Sequence, residues 1–464
     1  MNGINYYSTN HESPEADFGA ALINGLAPDG GLYMPAGIPL LALDEIAAFS
    51  GMAYHEIAFA VLNQFLDGLI PPARLAAMTR AAYNFPVPLE NVVDNSFILR
   101  LYRGPTASFK DFAARMLGRL MQYFLEKENK NLLILTATSG DTGSAMANAF
   151  YGLSNIKICV LFPETEVTER QRKQMTTLRD NVQILALDGK FDDCQALVKA
   201  AFNDSDLDYL NLSSANSINI GRLLPQAVYY FWAYSRLCDA RKGEEVVFSV
   251  PSGNFGDLMG GLIARRMGLP VKRFVVATNA NDEVPAYFVE GKYQPIVPSR
   301  ACISSAMNVG HPSNMARIVD LYGGRMKPDG EILEAPDLEK MRSDIFAVSV
   351  DDDTTRDTIQ QVFHKFKVVL EPHGAVGWRG LMEFFDAAEV DREKQACVCL
   401  ETAHPAKFPQ EIRGLLHIDP ELPESLSALN DKKEQYDHIG KAYGEFKTYI
   451  TNKYSGTKEN AFNL

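Results

Sequence analysis

The chain has 464 residues, of which 46% are hydrophobic and 22% are charged, and its formal net charge is −13 at pH 7. This composition is typical of a globular protein with a large core, and the length favours two or three domains. The acidic balance disfavours nucleic acid as a partner, because such a partner needs a basic face, and it disfavours binding to anionic membranes.

The six cysteines form no CxxC pair, so we expect free thiols in a reducing compartment. The first ten residues lack the basic and apolar regions of a signal peptide, and no apolar run is long enough to span a bilayer. These features predict a cytoplasmic protein with no membrane partner.

The first part of the chain is predicted to be mainly helical. Helical periodicity and stop signals predict helices at residues 16–26, 41–49, 55–65 and 72–83. Residues 1–95 are therefore predicted to form an N-terminal, mainly helical domain.

Strands and helices alternate after this point. Strands are predicted at 97–102, 131–136, 156–162, 182–186, 246–250, 274–278, 345–350 and 396–400. Helices are predicted at 111–128, 143–152, 169–178, 192–202, 219–241, 257–267 and 353–366. This alternation predicts an α/β fold with two parallel sheets covered by helices. We expect a first α/β domain at 96–240, a second at 241–430, and a C-terminal extension at 431–464 that contains a helix.

Lys110 is the first candidate for chemistry. It lies where a predicted loop meets the helix 111–128, after three small or hydroxyl residues and next to Phe109. Burial of such an amine lowers its pKa and keeps it nucleophilic. A lysine in the first turn of a helix is more often solvated, so Lys110 alone does not decide between the two interpretations.

Two glycine-containing turns follow predicted strands and precede predicted helices. Such a turn offers backbone N–H groups and the positive end of a helix to an anion, although it also suits a simple helix cap. The first turn comprises Ser139, Gly140, Asp141, Thr142 and Gly143, and the second comprises Ser252, Gly253, Asn254, Phe255 and Gly256. The second turn does not match the dinucleotide pattern GxGxxG, and the chain has no GxxxxGK[ST] motif, which disfavours NAD and nucleoside triphosphates.

Four polar residues follow the later strands. Thr402 comes just after the strand 396–400, at the end of a parallel strand where ligands bind, although it could also cap a helix. His373 and His404 have no partner at metal-ligand spacing, so we expect no metal site. Glu371 precedes a predicted helix and could either face a bound ring or cap that helix.

Together these segments resemble the threonine synthase family, whose members are pyridoxal 5'-phosphate (PLP) enzymes of the tryptophan-synthase-β fold type. The resemblance covers nearly the whole chain and is specific because many segments contribute to it. The matching segments are YSTN at 7–10, GLAPDGGLYMP at 25–35, GPTASFKD at 104–111, NSIN at 216–219 with Arg222, AMNVGHPSN at 306–314 and TAHPAKFP at 402–409.

The resemblance implies a role for each candidate residue. Lys110 would form the Schiff base with PLP and act as general acid and base. The residues that would hold the cofactor phosphate are Ser252, Gly253, Asn254, Phe255 and Gly256, and Thr402 would face the pyridine nitrogen. The turn 139–143 would take the substrate carboxylate. An aspartate close to the 3'-oxygen of PLP requires a proton on one of the two groups, so a direct role for Asp141 stays open.

The activity implied is conversion of O-phospho-L-homoserine and water to L-threonine and phosphate. The polar residues of the matching block that are candidates for binding the substrate are Asn216, Ser217, Asn219 and Arg222, with Arg222 ranked above Lys173 for its phosphate. A phospholyase of the same family, which releases 2-oxobutyrate, ammonia and phosphate, is the alternative, and a non-catalytic PLP-binding protein is a third interpretation. The sequence does not distinguish a monomer from a homodimer.

Overall fold

The computed structural model describes residues 3–138, 140–165, 167–388 and 390–454. The helices are α1 Phe18–Asn24, α2 Leu43–Ala48, α3 Tyr54–Leu66, α4 Pro72–Ala82, α5 Lys110–Glu128, α6 Asp141–Phe150, α7 Glu169–Thr176, α8 Phe191–Phe202, α9 Ile220–Leu237, α10 Gly256–Arg266, α11 Glu283–Glu290, α12 Met315–Leu321, α13 Leu338–Asp344, α14 Asp352–Phe366, α15 Pro372–Ala387, α16 Pro409–Leu416, α17 Glu424–Ser427 and α18 Tyr443–Tyr454. The strands are β1 Tyr6–Ser8, β2 Tyr33–Pro35, β3 Leu89–Val93, β4 Ser96–Arg100, β5 Leu132–Ala137, β6 Ile156–Pro163, β7 Val182–Leu187, β8 Leu212–Ser213, β9 Val246–Pro251, β10 Val271–Thr278, β11 Arg325–Met326, β12 Ile332–Glu334, β13 Ile345–Ser349, β14 Ala396–Glu401 and β15 Asp437–Ile439. In these ranges no helix combines the length and apolarity that crossing a membrane requires.

Two sheets organise the molecule. The five-stranded sheet has the order β15-β7-β6-β5-β8, and its neighbouring strands are parallel. The six-stranded sheet has the order β13-β10-β9-β14-β4-β3, and only the pairing of β3 with β4 is antiparallel. The predicted fold class, α/β with two parallel sheets covered by helices and a mainly helical N-terminal segment, is confirmed.

The sheets do not follow the predicted domain boundaries. Strand β4 was assigned to the first α/β domain, but it lies beside β14 in the six-stranded sheet. Strand β15, in the predicted C-terminal extension, pairs with β7 and so adds an edge to the five-stranded sheet. Alternation along a sequence identifies strands, but it carries no information about which distant strand each one pairs with.

The N-terminal segment is anchored by a buried arginine. Arg317 of α12 donates from its guanidinium to the backbone carbonyls of Tyr33, at 3.0 and 3.2 Å, and Ile218, at 2.6 Å. It also donates to Asn314 Oδ1 at 2.8 Å. Because Arg317 is fully buried, these bonds fix the N-terminal strands against the polar loops of the two sheets.

Three buried strands place their carboxyl ends near the start of α5. Strands β9 and β14 are buried at every residue, and β5 is buried except at Ala137, as expected for parallel strands covered on both faces. The chain leaves β5 into the turn 138–143, leaves β9 into the loop 252–256, and leaves β14 at Thr402. Ligands of open parallel sheets bind at such carboxyl ends.

Candidate active site

Thr402 and the segment of Lys110 lie side by side. Lys110 is the first residue of α5. The backbone N–H of Phe109 donates to the carbonyl of Thr402 at 2.8 Å, and that of His404 donates to the carbonyl of Ala107 at 3.1 Å. The Thr402 side chain is buried, and its hydroxyl has no hydrogen-bond partner within the described residues. The two segments that the sequence suggested for an amine and a hydroxyl therefore meet.

Lys110 is a half-buried amine whose Nζ lies over the ring of Phe109, 5.1 Å from its centroid. Its Nζ makes no hydrogen bond or ion pair within the part of the chain that the structure describes. Burial lowers the pKa of Lys110 to about 8, opposed by Asp141 and Glu371, while the positive charges of Arg222 and Lys407 lower it further. An amine with this pKa is partly neutral near pH 8, which is what a nucleophile or general base requires.

The loop between β9 and α10 is an anion cradle. In the described structure the backbone N–H groups of Gly253, Asn254, Phe255 and Gly256 have no hydrogen-bond acceptor, and they lie at the positive end of α10. Phe255 adopts a left-handed conformation with φ 58°, which turns the chain into the helix. Ser252, unlike the four residues after it, has no free donor. Its N–H donates to the Ala277 carbonyl at 2.8 Å and its hydroxyl donates to the Val250 carbonyl at 3.0 Å.

The side chain of Asn254 braces this loop. Its amide nitrogen donates to the Ser217 hydroxyl, and its amide oxygen accepts from the backbone N–H of Ser313 at 2.7 Å. Asn314 adds a hydrogen bond to the Asn254 carbonyl at 3.0 Å. Asn254 therefore contributes its backbone to the cradle and its side chain to the support, and Ser217 is part of that support.

The turn before α6 offers a second set of donors. The N–H groups of Gly140 and Gly143 both donate to Thr138 Oγ1, at 3.0 and 2.9 Å. The N–H groups of Asp141 and Thr142 are left without an acceptor in the described structure. Gly140 has φ 147°, a conformation open to glycine, which lets the strand turn sharply into the helix. Two free N–H groups at a helix N-terminus suit a carboxylate.

Asp141 is committed to a lysine that the sequence analysis did not select. Its Oδ1 lies 2.7 Å from the Nζ of Lys407 and accepts from Gln171 Nε2 at 3.1 Å. Lys407 also donates to the Thr106 carbonyl at 2.8 Å. Lys407, first among the neighbouring charges, holds the pKa of Asp141 well below its usual range although burial opposes this. The carboxylate thus stays charged, and only its backbone remains free for a ligand. Ser139 lies outside the described residues.

Asn219 has a structural role, which corrects its prediction as a substrate ligand. Its Oδ1 caps α9 by accepting from the Gly221 N–H at 2.9 Å, and its Nδ2 donates to the carbonyl of Leu22 at 2.8 Å. Asn216 accepts from Thr136 Oγ1 at 3.0 Å, and its amide N–H groups have no partner in the described ranges. A polar residue in a matching block can therefore either bind a ligand or stabilise the structure around the site.

Arg222 is a buried cation without a counter-ion. Its Nη1 donates to the carbonyl of Ala215 at 3.2 Å, its Nε has no partner, and no carboxylate in the described residues forms an ion pair with it. Burial lowers the pKa of Arg222 to about 10. Its rival Lys173 is already occupied, because its Nζ lies 3.0 Å from a Glu169 oxygen and 3.3 Å from the Asn430 carbonyl. Arg222 is the better candidate for an incoming anion.

Glu371 caps a helix, so one of its two predicted alternatives applies. Its Oε1 accepts from the Gly374 N–H at 3.0 Å and its Oε2 from the His373 N–H at 2.9 Å. His373 Nδ1 lies 2.5 Å from the same Oε2, while His373 Nε2 accepts from the Ala306 N–H at 3.1 Å. Because Nε2 accepts, the ring proton lies on Nδ1 and is donated to Glu371.

Burial disfavours the charged forms of the other carboxylate and imidazole near Thr402. Burial and the neighbouring Glu371 raise the pKa of Glu401 well above its usual range, although Arg100 lies 3.9 Å from Glu401 Oε1. Burial lowers the pKa of His404 to about 4, and its Nδ1 accepts from the Ala406 N–H at 3.1 Å.

Three family models match the chain. A model described as threonine synthase N terminus matches residues 5–83, and one described as pyridoxal-phosphate dependent enzyme matches residues 87–401. A model described as threonine synthase, C-terminal, matches residues 375–450.

Individual proteins are similar over almost their whole length. The threonine synthase of Haemophilus influenzae is 39% identical over 448 residues, covering 96% of this chain and 99% of the relative. The Escherichia coli threonine synthase is 38% identical, with 92% and 94% covered. Among solved structures, the PLP-bound threonine synthase from Brucella melitensis superposes with a TM-score of 0.91 at 37% identity, covering 97% of this chain and 99% of that one. The yeast threonine synthase superposes with a TM-score of 0.89 at 30% identity, with 98% and 100% covered.

Proposed function

The chain belongs to the threonine synthase family of PLP-dependent enzymes, and from this premise we propose which of its residues hold the cofactor and which bind the substrate. Its activity is the PLP-dependent synthesis of threonine, a lyase reaction. The substrate we propose is O-phospho-L-homoserine, with water as the second reactant and phosphate as the second product.

The site fits the cofactor in three respects. The amine of Lys110, which forms no hydrogen bond or ion pair within the described residues, is available for covalent attachment. The free N–H groups of Gly253–Gly256 at the start of α10 suit a phosphate, and protein atoms leave ordinary space there, because a Cβ added to Gly256 would come no closer than 3.4 Å to Asn314. The hydroxyl of Thr402, a buried residue, suits the pyridine nitrogen. When bound, PLP stores the electron pair released at the substrate Cα.

Lys110 is the observation that carries the proposal. It is a half-buried amine whose pKa is lowered to about 8, and the segment that contains it is hydrogen bonded to the segment of Thr402. With the substrate bound, the Lys110 amine would remove a proton from Cα, another from Cβ, and return protons later. A base with a pKa close to the working pH does this most efficiently.

The substrate's two anionic groups are assigned to different elements. The free N–H groups of Asp141 and Thr142 would bind the carboxylate, as Ser139 and the rest of the turn 139–143 were predicted to do. Arg222, with the free amide N–H of Asn216, would bind the phosphate and stabilise it as it leaves Cγ. Holding both ends fixes Cα and Cβ near the Lys110 amine, which lowers the entropic part of the barrier.

Product analysis with O-phospho-L-homoserine tests this function. We expect equal amounts of threonine and phosphate, formed only when the enzyme carries PLP. Release of 2-oxobutyrate and ammonia in place of threonine would identify a phospholyase, and PLP binding without turnover would identify a non-catalytic protein.

We also propose that the enzyme works in the cytoplasm. All six cysteines are free thiols, and four of them are buried, which is consistent with a reducing compartment.

A further inference from the structure

Lys407 and Asp141 form a buried ion pair that crosses between the two sheets. Asp141 begins α6, which follows β5 of the five-stranded sheet, while Lys407 follows β14 of the six-stranded sheet. Their side chains are 5% and 0% exposed, and the Nζ–Oδ1 distance is 2.7 Å. A buried pair adds little net stability compared with well-packed apolar residues, because removing both charges from water costs as much as their attraction returns. Its place in the active site therefore calls for a functional explanation.

The pair resolves an electrostatic conflict within the turn before α6. The free N–H groups of Asp141 and Thr142 attract an anion, but the carboxylate of the same Asp141 repels one. Lys407 cancels that charge at hydrogen-bond distance, and the Thr106 carbonyl fixes the ammonium from another side at 2.8 Å. The third N–H of Lys407 has no acceptor within the described structure.

We propose that Lys407 is a positioning residue that neutralises Asp141 and thereby makes the turn before α6 able to bind the substrate carboxylate. This inference rests on the proposed function, because it assumes that the amino-acid carboxylate binds at that turn. It adds a second consequence for Lys110, whose amine is close enough to feel both charges of the pair.

The pKa of Lys110 depends on both members of the ion pair. The charged groups that face Lys110 are Asp141, Arg222, Lys407, Glu371 and Asp257. Asp141 raises the pKa of Lys110 and Lys407 lowers it, so the two members act in opposite directions. Removing both leaves the remaining three neighbours unchanged, and the pKa of Lys110 then lies between the values in the two single variants, because the two effects partly cancel.

The test uses three variants: Lys407→Met, Asp141→Asn and the double variant. The first readout is the pH dependence of PLP attachment to apo-enzyme, followed by visible absorbance. We expect the midpoint to rise in Lys407→Met, to fall in Asp141→Asn and to lie between these two values in the double variant. If Lys407→Met does not fold, Lys407→Gln replaces it, because the amide still donates to the Thr106 carbonyl.

The second readout is the affinity of the holoenzyme for L-threonine, which carries a carboxylate but no phosphate. We expect a loss on the order of 30-fold in Lys407→Met, since an uncompensated carboxylate beside the ligand costs about 2 kcal/mol. The double variant should recover most of this loss.

Midpoints that do not move in opposite directions, or equal L-threonine affinity in the single and double variants, would overturn the proposal and leave a purely structural pair. A different result would contradict the proposed function itself: PLP attached to a lysine other than Lys110 in the parent enzyme.

Discussion

The backbone N–H of Phe109 donates to the carbonyl of Thr402 at 2.8 Å, so the main chain of Thr402 fixes the residue that precedes Lys110. An isolated antiparallel bridge between Ser108 and Ala403 extends this contact. The side chain of Thr402 takes no part in it. Main-chain and side-chain roles at this position can therefore be separated by substitution.

Replacing Thr402 with valine should leave the fold intact and alter the cofactor. The backbone contact to Phe109 persists, while the hydroxyl proposed to face the pyridine nitrogen is lost. Loss of one neutral hydrogen bond is expected to lower kcat/KM roughly 3- to 10-fold, or about 1 kcal/mol. The measurements are steady-state kinetics and the visible spectrum. Thr402→Ser, which keeps the hydroxyl, serves as the control, and equal spectra in both variants would contradict the role.

Lys110→Ala should abolish covalent attachment of PLP and turnover while the protein remains folded. The reason is that Lys110 is proposed as the amine that holds the cofactor. Borohydride reduction of the parent enzyme, followed by proteolysis and mass mapping, should find the modification on Lys110. A label on any other lysine would refute the assignment.

The stability of the apo-enzyme should reveal the lowered pKa of Lys110. Its pKa falls from 10.5 to about 8 on folding, so below pH 8 the folded protein holds an ammonium that is partly withdrawn from water, which is unfavourable. The unfolded chain binds more protons between about pH 8 and 10.5, and stability therefore rises with pH in this window. Relative to Lys110→Met, the parent should gain on the order of 1–3 kcal/mol across it. Urea unfolding of both proteins measures the difference, and parallel pH profiles would rule the shift out.

Gly256→Val should weaken PLP binding at least tenfold, or about 1.4 kcal/mol. The protein itself has room for the first added carbon at this position, so the expected loss arises from blocking the phosphate's approach to the free N–H groups. Gly414→Val is a suitable control, because a Cβ there meets no atom within 4 Å and the residue lies in α16. Fluorescence titration with PLP measures the affinity of both variants. Equal affinities would show that the cofactor phosphate binds elsewhere.

Arg222→Ala should lower kcat/KM for O-phospho-L-homoserine by about 2–4 kcal/mol of transition-state stabilisation. Affinity for L-threonine, which lacks the phosphate, should change little, and PLP absorbance should be unchanged. Lys173→Ala is the matched control, since Lys173 is paired with Glu169 and should be dispensable. A larger loss of kcat/KM in Lys173→Ala than in Arg222→Ala would indicate that Lys173, and not Arg222, binds the substrate phosphate.

Local patterns in the sequence predicted most elements, but not every partner. The helix α5 and the strands β5, β6, β7, β9 and β14 were predicted within one to two residues, because their apolar runs are long and bounded by turn residues. Strand β15 has only three residues, two of them exposed, and strand β3 is half-buried except at the exposed Asn91, so neither produces a distinct pattern.

The sequence predicted the parts of the site that are formed by backbone N–H groups. It did not predict the side-chain charges that come from distant parts of the chain. Glycine-containing turns indicated both sets of free N–H groups. Lys407 was missed although it stands in a matching block, because a lysine between Ala406 and Phe408 looks solvated until Asp141 is seen beside it. Asn219 was predicted as a substrate ligand because nothing in the neighbouring sequence shows that its amide nitrogen donates to the carbonyl of the distant Leu22.

The pairing of β15 with β7 has a consequence for synthesis on the ribosome. The five-stranded sheet gains its last strand from residues 437–439, near the end of the chain, and the six-stranded sheet combines β4 with β14, about 300 residues later. Neither sheet is complete when its first strands emerge from the exit tunnel. Nascent chains that end between α10 and β14 carry the lysine and both turns without the strand that brings Thr402 to them, so the active site assembles late rather than domain by domain.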